Sequence, residues 1–132
     1  MPPEQNKELI QRVYAEGFNK GILAVVDEVF APNFLDRSTP DQVPGTDGVK
    51  EYITTVRRGF PDIYVTIEDT ISTENQVVVR TTWHGTHLGY YEDIAPTGKE
   101  VTRTMIQIFY VANGKLLEEW SEGDSLRQKI AR

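Results

Sequence analysis

Side chains that could transfer protons are concentrated near the end of the chain, on both sides of the pair Asn113-Gly114. An Asn-Gly pair between two segments rich in β-branched and aromatic residues is typical of a two-residue hairpin with a type I′ turn. If these residues form the turn, the register of the two strands follows by counting away from it. One face then carries three cross-strand pairs: Gln107 with Trp120, Met105 with Glu122, and Arg103 with Asp124.

This face of the predicted hairpin, which also includes Phe109, combines large apolar groups with a few polar ones, as ligand pockets do. Glu122 and Asp124 would repel each other across one strand face, which raises a carboxyl pKa, whereas Arg103 would lower it. Such opposed influences are typical of proton-transfer sites. The simpler interpretation of Arg103 and Asp124 is a cross-strand ion pair, worth under about 1 kcal/mol if it is exposed.

The opposite face of the hairpin is also apolar, through Ile106, Ile108 and Tyr110. Because helices can cover only one side of such a sheet, a second copy of the chain is the simplest cover for the other side. We therefore expect a homodimer, or a tetramer, formed through the outer sheet face. Glu119 falls on this outer face, and we expect it to be solvated.

No other motif indicates a metal, a cofactor or a nucleophile. The chain has no cysteine, which excludes thiol catalysis and thiolate metal sites and agrees with a cytoplasmic location. His84 and His87 are three residues apart near a strand, so they should point to opposite faces and not share a metal ion. Ser121 has no histidine and aspartate arrangement around it that would make it a nucleophile.

Helices are predicted in the first half of the chain and strands in the second. Apolar residues recur at helical spacing over 9–18, 22–30 and 46–60, and a short strand is expected at 33–36. Alternating or β-branched segments at 63–67, 76–83, 101–111 and 115–124 predict an antiparallel sheet. Helices followed by such a sheet indicate one α+β domain over 1–132: a curved sheet wrapped on one side by three helices, a cone with an internal pocket.

Composition excludes two classes of partner. With 132 residues and a formal net charge of −6, the chain lacks the basic surface that nucleic acids require. No apolar run approaches the roughly 20 residues that span a bilayer, and the first residues do not have the pattern of a signal peptide.

Two segments are specific enough to compare with known families: Pro96-Thr97-Gly98-Lys99 and the ending that runs from Trp120 to Asp124. With other segments spread over nearly the whole chain, they resemble the SnoaL-like polyketide cyclases, also called ester cyclases. Also similar are Phe18-Asn19-Lys20, the run from Val29 to Phe34, Gly59-Phe60-Pro61-Asp62, Gly85-Thr86-His87 and Asn113-Gly114-Lys115.

This resemblance implies the cone of the nuclear-transport-factor-2 (NTF2) superfamily, usually dimeric or tetrameric. It also implies aldol-type ring closure of a small apolar or aromatic ketone or ester, without metal or cofactor. In that family an aspartate on the last strand is the general acid/base, and Asp124 matches it. Gln107 matches a family glutamine, and Phe109 stands where family members have a histidine. The predicted site has Asp124 as catalytic residue and, for substrate binding, Tyr14, Phe18, Asp36, Arg103, Met105, Gln107, Phe109, Trp120 and Glu122.

Three alternatives stay open at this point. Steroid isomerases of the superfamily use a tyrosine and an aspartate near the positions of Tyr14 and Asp36. Epoxide hydrolases of this fold use an arginine and two aspartates; Arg103 and Asp124 would fit, but Met105 replaces the middle aspartate. The third alternative is a pocket that binds a small ligand without catalysis.

Overall fold

A computed structural model describes residues 2–131; Met1 and Arg132 lie outside the description. These residues form four α-helices, one π-helical turn and a five-stranded sheet. None of the helices within 2–131 combines the length and the apolar composition that crossing a membrane demands. The elements in chain order are α1 Pro3–Arg12, the π-helical turn Val13–Phe18, α2 Ala24–Val29, β1 Phe30–Asp36, α3 Thr46–Gly59, β2 Tyr64–Ser72, β3 Gln76–Thr86, β4 Glu100–Ala112, β5 Lys115–Gly123 and α4 Leu126–Ala131.

The sheet has the order β1-β5-β4-β3-β2, and its consecutive strands β2 to β5 pair antiparallel. This confirms the predicted α+β architecture, with three helices before the strands β2 to β5. Two features were not predicted: β1 pairs with β5 in parallel, and the short helix α4 follows the sheet. The parallel pairing matters for the site because it places the end of β1 beside the middle of β5.

The helices bury one face of the sheet. Along β3, residues alternate between buried and less buried, so that Val77, Val79 and Trp83 face the helices. Ile53 and Val56 of α3 are buried in the same core. This period-two pattern is what a half-buried strand shows in sequence, which explains why the strands could be predicted.

The first helix changes from α to π geometry at Val13, and this change positions two aromatic residues. The backbone N–H of Asn19 donates to the carbonyl of Tyr14 at 2.9 Å, a spacing of five residues. Single π-helical turns of this kind are frequent at functional sites. Tyr14 and Phe18 are both buried, with ring centroids 5.7 Å apart. The helix predicted over 9–18 therefore exists but does not keep α geometry.

The predicted hairpin turn is confirmed. Asn113 and Gly114 both have positive φ angles, 53° and 74°, as a type I′ turn requires. Ala112 pairs with Lys115 and Val111 with Leu116, as the predicted register has them.

The register beyond these two pairs is wrong by one residue. Tyr110 pairs with Glu118, not with Leu117, so that Leu117 is the extra residue of a β-bulge. Gln107 consequently pairs with Ser121 instead of Trp120. Because side chains alternate along a strand, a shift of one residue moves every later side chain of β5 to the other face.

The swap of faces corrects the predicted positions of three residues. Trp120 pairs with Ile108 and Glu122 pairs with Ile106, on the outer face of the sheet. The Trp120 residue is 48% exposed, and Glu122 is exposed as well. Glu119, predicted to be solvated on the outer face, lies instead on the inner face with Ser121.

Gly123 ends β5 in a conformation that only glycine tolerates well. Its φ is +144°, and a Cβ atom there would lie 2.5 Å from both the Thr104 carbonyl oxygen and the Met105 sulfur. We expect Gly123→Ala to lower the free energy of unfolding by about 2 kcal/mol, measured by urea denaturation. Gly98→Ala is the matched control, because Gly98 has a φ of +74° but no atom within 4 Å of the added Cβ. Equal losses in the two variants would contradict the steric explanation.

Candidate active site

A cavity of about 760 Å³ lies between the helices and the inner face of the sheet. Its volume is in the range of sites that bind small molecules. Trp120, Glu122 and Asp124 are not among its lining residues. Seven of the predicted site residues do line it: Tyr14, Phe18, Asp36, Arg103, Met105, Gln107 and Phe109.

Asp124, the predicted catalytic residue, follows β5 and does not face this cavity. Its side chain is 44% exposed, and one carboxylate oxygen lies 3.5 Å from Nζ of Lys129. Arg103 reaches only its main chain, where Nη1 donates to the Asp124 carbonyl oxygen at 3.3 Å. The predicted cross-strand pairing of the two side chains is therefore replaced by a contact to the backbone, because the bulge at Leu117 shifts β5 by one residue.

A hydrogen-bonded chain of neutral side chains fixes Gln107 on the cavity wall. Its Oε1 accepts from the hydroxyl of Tyr14 at 2.5 Å and from that of Thr81 at 3.1 Å. Trp83 Nε1 in turn donates to Thr81 Oγ1 at 3.0 Å. With both of these donors at Oε1, the amide nitrogen of Gln107 is directed to the other side, where it donates to Glu119 Oε2 at 2.8 Å.

Glu119 is the acidic group that the sequence did not identify as part of the site. It lines the cavity, and burial together with the nearby charge of Asp36 raises its pKa to about 8. The hydrogen bond from Gln107 and the charge of Arg103 oppose this rise but do not cancel it. A carboxyl with a pKa near neutrality in a cavity can both accept and release a proton at physiological pH.

Asp36 is the carboxyl of the cavity lining that lies beside Glu119. It is the residue of β1 that pairs with Glu119 of β5, so the parallel pairing puts two acidic groups side by side. Burial raises its pKa, and the backbone N–H of Ser38 donates to it at 3.0 Å and opposes the rise. Two close carboxyl groups cannot both ionise easily, so one of them keeps its proton to higher pH.

The hydroxyl of Tyr14 is held neutral beside this pair. Burial raises its pKa well above the ordinary value, as does the charge of Glu119. A neutral phenol is a hydrogen-bond donor. Tyr14 is connected to Glu119 through Gln107, by one hydrogen bond on each side of the amide.

Aromatic rings form much of the remaining wall. Phe18 meets Trp83 edge to face at a centroid distance of 4.8 Å and meets Tyr52 at 5.9 Å. Such walls favour a flat, apolar ligand. In the described part of the chain, no group of three or more histidine and acidic side chains is placed to hold a metal ion.

Comparison with known proteins identifies one family. The family described as SnoaL-like polyketide cyclase matches residues 8–129. No curated protein matches this sequence.

Three solved structures illustrate the similarity. A protein from Jannaschia sp. CCS1 assigned as a SnoaL-like polyketide cyclase is 26% identical, with 98% of this chain and 92% of that chain covered and a TM-score of 0.85. One from Bacillus cereus ATCC 10987, assigned as a polyketide cyclase, is 28% identical over 96% and 80% of the two chains, with a TM-score of 0.80. IdmH from Streptomyces antibioticus, also assigned as a polyketide cyclase, is 26% identical over 97% and 99%, with a TM-score of 0.77.

The predicted NTF2-like fold is thereby confirmed, and the family match extends over nearly every element that builds the cavity. This chain belongs to the SnoaL-like polyketide cyclase family.

Proposed function

We propose that the protein is a cyclase-type enzyme in which Glu119 transfers a proton to and from a carbon acid. The observation that carries the proposal is the Glu119 carboxyl, which lines an aromatic cavity, is held by Gln107 and has its pKa raised to about 8. In this proposal Glu119 takes the role that the sequence had suggested for Asp124.

The proposed reaction begins when ionised Glu119 removes a proton from a carbon next to a carbonyl group. The electron pair of the broken C–H bond moves to the carbonyl oxygen. The Tyr14 hydroxyl then exchanges its hydrogen bond to Gln107 for one to the developing enolate. The enolate carbon then attacks a second carbonyl of the same molecule, which forms the C–C bond of the ring. The resulting alkoxide takes back the proton from Glu119, so that the enzyme returns to its starting state.

The ligand that fits this site is a small apolar or aromatic ketone or ester. The rings of Phe18, Tyr52 and Trp83 supply flat apolar walls in a cavity whose lining also carries many polar side chains. Because every step is a proton transfer or a carbonyl addition, acid–base groups are sufficient for the chemistry.

The experiment that tests the proposal needs no knowledge of the natural substrate. A panel of aromatic ketones and β-keto esters is incubated with the protein in D₂O, and NMR follows the loss of the α-proton. The proposal predicts exchange faster than in buffer for at least one ligand that also raises the melting temperature. Ligands that bind tightly but show no accelerated exchange would instead support a binding protein without catalysis.

A second candidate is a proton shuttle similar to that of steroid isomerases, and the shared position of Tyr14 and Asp36 on the cavity wall favours it. Both candidates begin with the same proton removal. They differ in the fate of the enolate, which is reprotonated at another carbon in an isomerase and forms a C–C bond in a cyclase. Product analysis by mass spectrometry and NMR separates the two.

We also propose that the outer sheet face forms a homodimer. Ile106, Tyr110 and Trp120 are 51%, 37% and 48% exposed on this face. Trp120→Glu would place a charge among them and is expected to shift the protein to a monomer in sedimentation velocity. Leu88→Glu is the matched control, because Leu88 is 57% exposed but lies outside the sheet. A wild-type protein that sediments as a monomer would contradict the proposal.

A further inference from the structure

Arg103 is a buried cation on the wall of the cavity. It is 5% exposed and pairs with Trp83 across β3 and β4, and its guanidinium carbon lies 4.1 Å from the centroid of the Trp83 ring. Stacking on tryptophan compensates for part of the hydration that a buried arginine loses. The mechanism proposed above gives this side chain no role.

The hydrogen-bond partners of Arg103 are all uncharged. Nη1 donates to the carbonyl oxygen of Asp124 at 3.3 Å and Nη2 donates to the Tyr52 hydroxyl at 3.0 Å. Nε is buried and has no partner. No ion pair within residues 2–131 includes Arg103, although an arginine side chain stays charged in proteins. A buried charge without an opposite charge is costly, so a compensating anion is expected.

Among residues 2–131, no carboxylate lies within 4.0 Å of a guanidinium nitrogen of Arg103. Glu119 is close enough for the Arg103 charge to influence it, but its pKa of about 8 leaves it mostly protonated at pH 7. Asp124 offers its backbone oxygen and directs its carboxylate towards Lys129. Each terminal nitrogen of Arg103 still has a second N–H, which matches the two oxygens of a carboxylate.

We propose that the cavity binds a ligand that carries a free carboxylate and that Arg103 binds this group. Arg103 and Gln107 face the cavity four residues apart on β4, a separation of roughly 13 Å along the strand. The natural ligand is therefore an aromatic keto acid whose carboxylate lies far from its reacting carbon. Only the position of the reacting carbon rests on the proposed function; the contact with Arg103 does not.

The test compares naphthalene-2-carboxylate with its methyl ester, which has the same ring but an uncharged group one methyl larger in place of the carboxylate. Neither has an acidic C–H, so Glu119 chemistry is not involved in their binding. Isothermal titration calorimetry of the wild-type protein at pH 7 is expected to show the acid bound at least about tenfold more tightly than the ester. Arg103→Met should abolish the preference, and Arg103→Lys should retain part of it. Arg80→Met, which removes a half-exposed arginine outside the cavity lining, should leave the preference intact.

Two results would overturn the inference. The first is a wild-type protein that shows no preference for the acid, either because it binds the ester as tightly or because it does not bind the acid up to its solubility limit. This result counts against the inference whatever the variants show. The second is a preference for the acid that persists in Arg103→Met. Proton exchange without an acid preference would contradict this inference alone, whereas an acid preference without exchange would contradict the proposed function alone.

Discussion

Glu119→Gln is expected to lower the rate of α-proton exchange by about a hundred- to ten-thousandfold, the contribution typical of one general acid–base group. Glutamine has nearly the same shape and can still accept the hydrogen bond from Gln107, so the cavity should persist. It cannot, however, accept a proton from carbon at neutral pH. The measurement is NMR in D₂O with a ketone that the wild-type protein exchanges.

Glu122→Gln is the matched control for this loss. Glu122 lies on the same strand, but its side chain is on the outer face and exposed. The variant makes the same chemical change and should keep the wild-type exchange rate. An equal loss in both variants would show that the effect comes from the strand and not from a carboxyl in the cavity.

Ionisation of Glu119 should lower the stability of the protein as the pH rises from about 4.5 to about 8. Its pKa is about 8 in the folded state, against an ordinary value of 4.5. The stabilisation from this group is therefore fully present below pH 4.5 and is lost as the pH rises through about 8, where the buried carboxyl must ionise. Glutamine does not ionise, so Glu119→Gln should become more stable than the wild type at alkaline pH.

Urea denaturation of both proteins at several pH values measures this difference. The gain in the free energy of unfolding of Glu119→Gln over the wild type should grow between pH 4.5 and 8 and reach a few kcal/mol. The comparison of the two proteins cancels the groups that titrate independently of Glu119, and the remaining difference belongs to Glu119 together with its neighbour Asp36. A difference that does not change with pH would show that Glu119 titrates normally and would remove the physical basis of its proposed role.

The fold could be predicted from local patterns because most of its signals are local. Helical spacing indicated the helices, β-branched runs indicated the strands, and Asn113-Gly114 set the turn. The prediction that Arg103, Met105 and Gln107 share one face of β4 was also correct, and all three line the cavity. These features depend on neighbours in sequence or on one short turn.

The site on β5 could not be predicted, because it depends on one bulged residue. The Asn-Gly turn predicts continuous pairing beyond Leu116. Leu117 is apolar like Leu116, so nothing in the local sequence marks it as the extra residue of a bulge. The charges of Glu118 and Glu119 give no further signal, since each could be on either face. Only the structure shows that the bulge at Leu117 turns Glu119 inward.

The proximity of Asp36 and Glu119 could not be predicted either, because it depends on a contact between residues far apart in the sequence. Asp36 and Glu119 are brought together by the parallel pairing of β1 with β5, and no turn connects these two strands directly. The resemblance to steroid isomerases did place Asp36 and Tyr14 among the site residues, and both line the cavity. Their relation to Glu119 was not visible in the sequence.

In the proposed mechanism the acid–base carboxyl is that of Glu119 and not that of Asp124. The most direct test measures α-proton exchange by Glu119→Gln and Asp124→Asn side by side, with the same ketone and at the same pH. We expect the exchange rate of Glu119→Gln to be at least about a hundredfold below that of the wild type. The exchange rate of Asp124→Asn should stay within a few-fold of the wild-type rate. A large fall in the exchange rate of Asp124→Asn, with little change in that of Glu119→Gln, would contradict the assignment of this role to Glu119.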